Sequence, residues 1–264
     1  MKVRNIPALV TGASSGIGRA IALELGRRGC SVALLARRRE ALESVGREVT
    51  QLGGRPFVFK VDVTDPGSLG SAVSDAVALL GGLRLAVVNA GVGVHGAADA
   101  LDPGALRRAF EVNTLGAIAT VRCCLPQLRA AEPSALVAVT SLSGLIPYRG
   151  GGAYGATKAA LIQYLRCLRL EQAGSGVEVG WLCPGAVQTP FIVDGVPVAK
   201  TPRLARWLLP VLPAERVATA LIRLVERGGG QRVIPWSAAF FASFARLLPG
   251  LAERVELLTG AGEA

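Results

Sequence analysis

Continuous apolar runs alternate with stretches of helical spacing from the first residues of the chain onward. Ala8–Thr11, Ser31–Ala36, Pro56–Val61, Leu85–Asn89, Ala135–Ser141, Val177–Leu182 and Arg232–Pro235 read as strands. Most of these runs are unbroken rather than alternating, as expected of strands covered on both faces. Gly18–Arg28, Glu40–Leu52, Ser68–Leu80, Leu106–Arg129 and Ala153–Ala173 carry helical spacing between them. Strand and helix in strict alternation predict right-handed βαβ units. The fold class expected is therefore α/β: a single Rossmann-type doubly wound domain, a seven-stranded parallel sheet flanked by helices on both faces.

No repeat, low-complexity tract or linker divides the chain, so residues 1–264 are read as one dinucleotide-binding and catalytic domain. Residues 185–213, rich in proline and apolar side chains without clean periodicity, read as a substrate-loop lid, a loop with short helices over the cofactor. Residues 236–258 form a hydrophobic C-terminal helical extension, broken by Arg246 and Pro249 and marginal in length for a bilayer span. Three readings stand for it: a helix buried against the body or a partner subunit, a wall of an apolar pocket, or a membrane-surface helix.

At 264 residues and 51% hydrophobic content the chain has ample material for a core, which argues against disorder. The net charge of +10 is mostly arginine, scattered in short clusters such as Arg27–Arg28, Arg37–Arg39 and Arg107–Arg108. No basic stripe interleaved with aromatics is present, so a solvated surface is expected and no nucleic-acid partner. Five cysteines, without a CxxC pair, read as reduced thiols rather than a metal or disulfide framework. The first residues run directly into a strand and glycine loop, not a secretory signal, so a cytoplasmic location is expected.

Chemistry enters with TGASSGIG, Thr11–Gly18, between a strand and a helix. Gly12 permits the tight turn, Gly16 the approach of a pyrophosphate and Gly18 close packing of helix on strand. The helix start then offers free N–H groups to phosphate. Ser14, Ser15 and Ile17 complete the loop. At the end of the second strand Ala36 stands where an NAD site places an acid, and Arg37 follows. That favours a 2′-phosphate, hence NADP(H) over NAD(H), with Ser14 or Ser15 adding a hydroxyl.

Tyr154 and Lys158 lie four apart, on one helix face, and Ser141 ends the apolar run ALVAVTS thirteen residues before Tyr154. An ammonium beside a phenol is expected to lower the tyrosine pKa from its ordinary value near ~10. A proton donor beside a nicotinamide implies carbonyl reduction or alcohol oxidation.

Together these motifs resemble the classical short-chain dehydrogenase/reductase family over roughly residues 5–235. The resemblance implies a catalytic tetrad of Asn113, Ser141, Tyr154 and Lys158. It implies cofactor contacts at Asp62 and Val63 for the adenine, at Asn89, Ala90 and Gly91, and at Pro184, Gly185, Val187 and Thr189 on the nicotinamide side. Val88 stands where the family often has a further asparagine. Ser141 would hold the substrate oxygen and Tyr154 would protonate it. Lys158 would lower the tyrosine pKa and bond the nicotinamide ribose, and Asn113 would bend its helix and hold a water that links Lys158 to solvent. The resemblance also implies a homodimer or homotetramer built on Leu106–Arg129 and Ala153–Ala173.

The substrate pocket is expected from Gly93–Ala98, Leu142–Arg149 and Gly185–Leu212, with Leu145, Ile146, Phe191, Ile192, Val193 and Trp207 as apolar lining and Ser143, Tyr148 and Arg149 as polar options. His95, the single histidine, is either a plain loop residue or part of that lining. Such a pocket suits a hydrophobic carbonyl or secondary alcohol, steroid-, retinoid- or acyl-like. No metal-ligand cluster is evident. The alternatives are a non-catalytic NADP-binding regulator and a membrane-surface protein on the same fold.

Overall fold

The computed structural model describes residues 1–190 and 210–259. Seven parallel strands form one sheet: β1 (Pro7–Thr11), β2 (Ser31–Ala36), β3 (Arg55–Lys60), β4 (Leu85–Val88), β5 (Ser134–Val139), β6 (Val177–Pro184) and the later β9 (Gly230–Ile234). Their spatial order is β3-β2-β1-β4-β5-β6-β9. The chain moves outward from β1 to β3, then returns to β4 on the other side of β1. That reversal opens a crevice at the carboxyl ends of β1 and β4, where doubly wound sheets bind ligands.

The continuous apolar runs have a direct cause. Val10, Leu34, Leu85 and Val87 pack into a core on one face, against α1 (Gly16–Arg27) and α7 (Ala214–Glu226). Their neighbours Leu9, Leu35, Ala86 and Val88 pack on the other, against α3 (Pro66–Leu80), α5 (Ala117–Arg129) and α6 (Gly152–Glu171). The central strands β1, β2, β4 and β5 feed both layers, so their alternate positions are buried on both faces, whereas the edge strand β3 has exposed ends at Arg55 and Lys60.

Helix starts lie upstream of the first apolar periodic residue. Asp65 accepts hydrogen bonds from the Gly67 and Ser68 amides with Pro66 in the first turn, and Asp102 accepts from Ala105 with Pro103 behind it. These are N-caps with proline at the first helical position. Leu106–Arg129 proves to be three pieces: α4 (Pro103–Phe110), a π-helical turn at Glu111–Gly116, and α5. The remaining early helix is α2 (Arg39–Gln51).

Only the ends of the expected lid, 185–213, are among the described residues. There β7 (Val187–Gln188) pairs in parallel with β8 (Leu212–Pro213). Phe191, Ile192, Val193 and Trp207 lie outside the described residues.

The C-terminal extension is two helices, α8 (Trp236–Leu247) and α9 (Pro249–Thr259), broken at Leu248. Ala238 and Ala242 on the inner face of α8 pack on Leu142, with Leu145, Ile146 and Val233 around them. Small residues there let the helix backbone approach the segment that follows Ser141. The outer face leaves Trp236, Phe240 and Leu247 each at least 74% exposed. No helix among the described residues is long and apolar enough to cross a membrane.

Candidate active site

The glycine turn is tied to the sheet by side chains on both sides of the crevice. Thr11 Oγ1 donates to the Val87 carbonyl at 3.4 Å and accepts the amides of Asn89 at 3.0 Å and Ala90 at 3.2 Å. Asn89 Nδ2 donates back to the carbonyls of Thr11 at 3.0 Å and Gly12 at 3.3 Å. Gly12 adopts φ +66°, open to glycine at little cost, and a Cβ on Gly18 would stand 2.2 Å from the Gly12 carbonyl oxygen. The start of α1 therefore lies against the turn. Ser15 is its N-cap, yet its side chain makes no capping bond, which leaves the first-turn amides unclaimed by it.

The serine hydroxyls face an arginine instead. Arg38 Nη2 donates to Ser14 Oγ at 3.2 Å and Ser15 Oγ at 3.0 Å. From the sequence Arg37 is expected to supply the counter-charge to a 2′-phosphate beside these serines. Arg37 is 60% exposed, and its guanidinium turns toward Asp62, 3.9 Å away. The basic group docked on the glycine turn is thus one residue further on. The signal lay in the run Arg37–Arg39, but the choice within it needs the backbone direction at the end of β2.

Asp62 accepts the Thr64 amide at 3.0 Å, the Thr64 hydroxyl at 2.8 Å and Arg108 Nη2 at 2.9 Å. Burial works to raise this carboxyl, but the bonds from Thr64 and Arg108 outweigh it and hold Asp62 below the usual carboxylate range. Arg108, on α4, was not anticipated as a site residue. Val63, beside Asp62, is buried. On the far side of the crevice Gly185 donates its amide to Ile234 at 2.8 Å, and Val187 is buried. Thr189 sits against the glycine turn: a Cβ on Gly16 would meet its Cγ2 at 3.1 Å. Pro184 ends β6.

The reacting groups meet where β5 gives way to α6. Thr140 Oγ1 donates to the Leu182 carbonyl at 2.9 Å and fixes the end of the strand. Ser141 follows, at the head of a 3-10 turn over Leu142–Gly144; its Oγ accepts the Ser143 amide at 3.1 Å. Ser141 is close enough to the Tyr154 hydroxyl to oppose the rise that burial gives its pKa. Tyr154 and Lys158 stand one turn apart in α6, and Lys158 Nζ lies 5.8 Å from the Tyr154 ring centroid. All three are buried, as is Asn113. Lys158 Nζ donates to the Val139 carbonyl at 3.4 Å, and a Cβ placed on Gly91 would lie 3.5 Å from Nζ, so the Gly91 backbone runs close beside the ammonium.

The expected lowering of the tyrosine pKa is not found. Burial pushes Tyr154 up; Ser141 opposes it and Tyr148 adds to it. Burial likewise lowers Lys158, to about 8. Both effects have one cause: a site withdrawn from water disfavours the phenolate and the ammonium alike. At neutral pH Tyr154 is a proton-bearing phenol, the form that donates to a carbonyl oxygen.

Asn113 explains the π-helical turn. Its Oδ1 accepts the Val92 amide at 2.7 Å, while Nδ2 donates to the Val92 carbonyl at 2.9 Å and Thr157 Oγ1 at 3.1 Å. Pairing with a single backbone residue in this way fixes the loop after β4 against α6, and the extra residue of the π turn carries Asn113 to that position. His95 lies further along the same loop. Its ring centroid is 5.5 Å from that of Tyr154, and Nδ1 is 3.1 Å from Tyr148 Oη. It therefore belongs to the site lining, beside Ser143 and Tyr148; Leu145 stands behind them, half-buried.

Residues 7–195 match the family model of the short chain dehydrogenases. An uncharacterized oxidoreductase of Myxococcus xanthus is 34% identical over 243 residues, 92% of each chain. Among solved structures, the alcohol dehydrogenase of the archaeon Thermococcus sibiricus, complexed with 5-hydroxy-NADP, superposes with a TM-score of 0.77 at 28% identity, covering 86% of this chain and 94% of its own. Carveol dehydrogenase of Mycobacterium avium, in complex with NAD, superposes with a TM-score of 0.81 over 88% of this chain and 97% of its own, at 22% identity, and bears on the fold alone. The sheet order, the crevice and these matches together define an oxidoreductase of the short-chain dehydrogenase type. The chain belongs to the short-chain dehydrogenase/reductase family.

Proposed function

We propose that the protein is an NADP(H)-dependent oxidoreductase that interconverts a carbonyl and a secondary alcohol on a hydrophobic small molecule. The observation that carries this reading is the buried cluster of Ser141, Tyr154 and Lys158 beside the glycine turn. The cradle fits a dinucleotide: Gly12 and Gly18 leave no room for a side chain, and the first turn of α1 is not capped by Ser15. Gly12, Ser14, Ser15, Gly16, Ile17 and Gly18 would hold the pyrophosphate, Asp62 and Val63 the adenine, and Asn89, Ala90, Gly91, Tyr154, Lys158, Pro184, Gly185, Val187 and Thr189 the nicotinamide half. When bound, the cofactor supplies or accepts the hydride.

Ser141 and Tyr154 together form a two-hydroxyl cradle for the substrate oxygen. Ser141 polarises it, and Tyr154 gives up its proton to the developing alkoxide, the charge-stabilising step that dominates such sites. Lys158 holds a positive charge at the crevice floor. Arg38, already aimed at Ser14 and Ser15, would pair with a 2′-phosphate. Val94 and Leu101 pack beside Tyr154, and Leu142 and Leu145 pack under α8, which supports an apolar pocket.

Turnover of NADPH and NADH against cyclohexanone, decanal, menadione and a ketosteroid tests the reading. Turnover with NADPH on at least one supports it; binding of neither nucleotide overturns it. We read the assembly as a homo-oligomer, supported by exposed Leu115 and Leu170 on the π turn and α6, 61% and 78% exposed; light scattering tests that separately.

A further inference from the structure

The two faces of α8 are both apolar, yet only one is covered. Ala238, Ala242 and Ala245 are buried, while Trp236, Phe240 and Leu247, on the opposite face of the helix, are 79%, 74% and 79% exposed. Leu248 and Leu251, both exposed, carry that apolar surface on into α9. Scattered apolar side chains are ordinary on a surface, but a continuous strip of them marks a contact. Ser243 lies within the strip, and its hydroxyl already donates to the Ala239 carbonyl at 2.9 Å, so it brings no unmatched donor to apolar surroundings. Arg246, exposed, is the one charged residue of α8. From Arg227 to Ala252 the chain holds Arg227, Arg232 and Arg246 and no carboxylate. The surface of an anionic bilayer complements this pattern: its acyl boundary takes the aromatic and leucine side chains, and its headgroups take arginine at the flank. A two-fold contact with a second copy would bring Arg246 toward a helix with no acid to receive it. At 12 residues α8 is about 18 Å long, too short to span a bilayer and long enough to lie along one.

We propose that α8 and the start of α9 dock the protein on an anionic lipid bilayer, with α8 lying along the surface and Trp236, Phe240 and Leu247 in the acyl boundary. The helix is fixed to two segments of the expected substrate pocket. Its inner face packs on Leu142, with Leu145 and Ile146 around it. The Ile234 carbonyl, two residues before α8, accepts the Gly185 amide at 2.8 Å. Docking therefore holds the pocket segments beside lipid, and the substrate class narrows to carbonyls and alcohols that partition into membranes. The lipid contact stands on the helix alone; the membrane origin of the substrate rests on the oxidoreductase reading above.

Co-sedimentation of the full chain with vesicles of phosphatidylcholine and phosphatidylserine tests the contact, without nucleotide or substrate. Wild type is expected to pellet with these vesicles, to pellet less with phosphatidylcholine alone, and to be released as salt rises. Tryptophan emission is expected to move to shorter wavelength on binding, and not to move in Trp236→Phe; Trp181 is buried already. The double variant Phe240→Ser with Leu247→Ser, in which both replaced side chains face outward, is expected to weaken partitioning about 10- to 100-fold. Arg246→Glu is expected to weaken it about tenfold. Melting temperatures check that the variants are folded. Wild type that stays in the supernatant overturns the proposal, and so does binding that the double variant leaves unchanged. A wild-type oligomer that the double variant dissociates in light scattering, with no pelleting on vesicles, also overturns it and gives the face to a second copy. With a ketosteroid supplied in the vesicles, KM is expected to be lower for wild type than for the double variant; equal values would overturn the membrane as the source of substrate. The sedimentation outcomes leave the oxidoreductase reading untouched, whose own failure is a wild type that reduces no carbonyl of the panel, cyclohexanone in free solution included.

Discussion

Arg38 reaches back over the glycine turn to hold both Ser14 and Ser15, at 3.2 and 3.0 Å, while its neighbour Arg37 turns away toward Asp62. Cofactor choice should follow from that division. Arg38→Ala is expected to raise KM for NADPH about 10- to 100-fold, the loss of charge-assisted bonds of about 1.5–3 kcal/mol. NADH kinetics should hardly change. Arg37→Ala should have a much smaller effect on NADPH. Equal losses with both nucleotides in Arg38→Ala would show that this arginine only shapes the turn.

The two directions of the reaction should differ in pH dependence. Reduction needs the tyrosine proton, and burial keeps that proton on Tyr154 to above its ordinary range. Alcohol oxidation needs the phenolate, which forms only as pH rises. The oxidation rate is therefore expected to climb through the alkaline range, while reduction stays level from acid to neutral pH. Initial rates in both directions across pH check this; oxidation that peaks at neutral pH would mean a phenolate stabilised against burial.

Lys158 sets function against stability. Its folded pKa of about 8 lies below the ordinary lysine value, so between about 8 and the ordinary value of ~10.4 the unfolded chain binds more protons than the folded one. Stability from this group therefore rises with pH across that window and is least below it, where the buried charge must be carried. Lys158→Met is expected to abolish turnover while leaving Tm at neutral pH equal to wild type or higher. A clear drop in Tm would mean that the ammonium has stabilising partners that outweigh its desolvation.

Asn113 carries the opposite expectation. Asn113→Ala leaves the partly buried Val92 amide and carbonyl without their Asn113 partner. A cost of about 1–3 kcal/mol is expected, measured by denaturant unfolding. Asn113→Asp keeps the acceptor toward the amide but loses the donor, and should fall between the two.

How far the sequence could be read depended on distance along the chain. The central strands were legible because they must be apolar on both faces, a local property of runs such as Ala8–Thr11 and Ser31–Ala36. The glycine turn and the Tyr154–Lys158 spacing are local as well. The π turn was not, because it answers to a bond between Asn113 and Val92, 21 residues apart. Helix starts at Pro66 and Pro103 were missed by a few residues because their signal is a capping carboxylate rather than periodicity. The choice of Arg38 over Arg37 needs the exit angle of β2. Burial depth also escapes a sequence: Lys158 was visible beside Tyr154, but not that withdrawal from water outweighs its charge. His95 could be either loop or lining until Tyr148, 53 residues on, was seen against it.

The most direct measurement is NADPH oxidation by wild type and Tyr154→Phe against the carbonyl panel, at matched fold stability. The account predicts turnover by wild type and a loss of about 10²- to 10⁴-fold in kcat for the variant, the usual contribution of a positioned proton donor. Equal turnover in the two proteins would contradict it and remove Tyr154 from the centre of the mechanism.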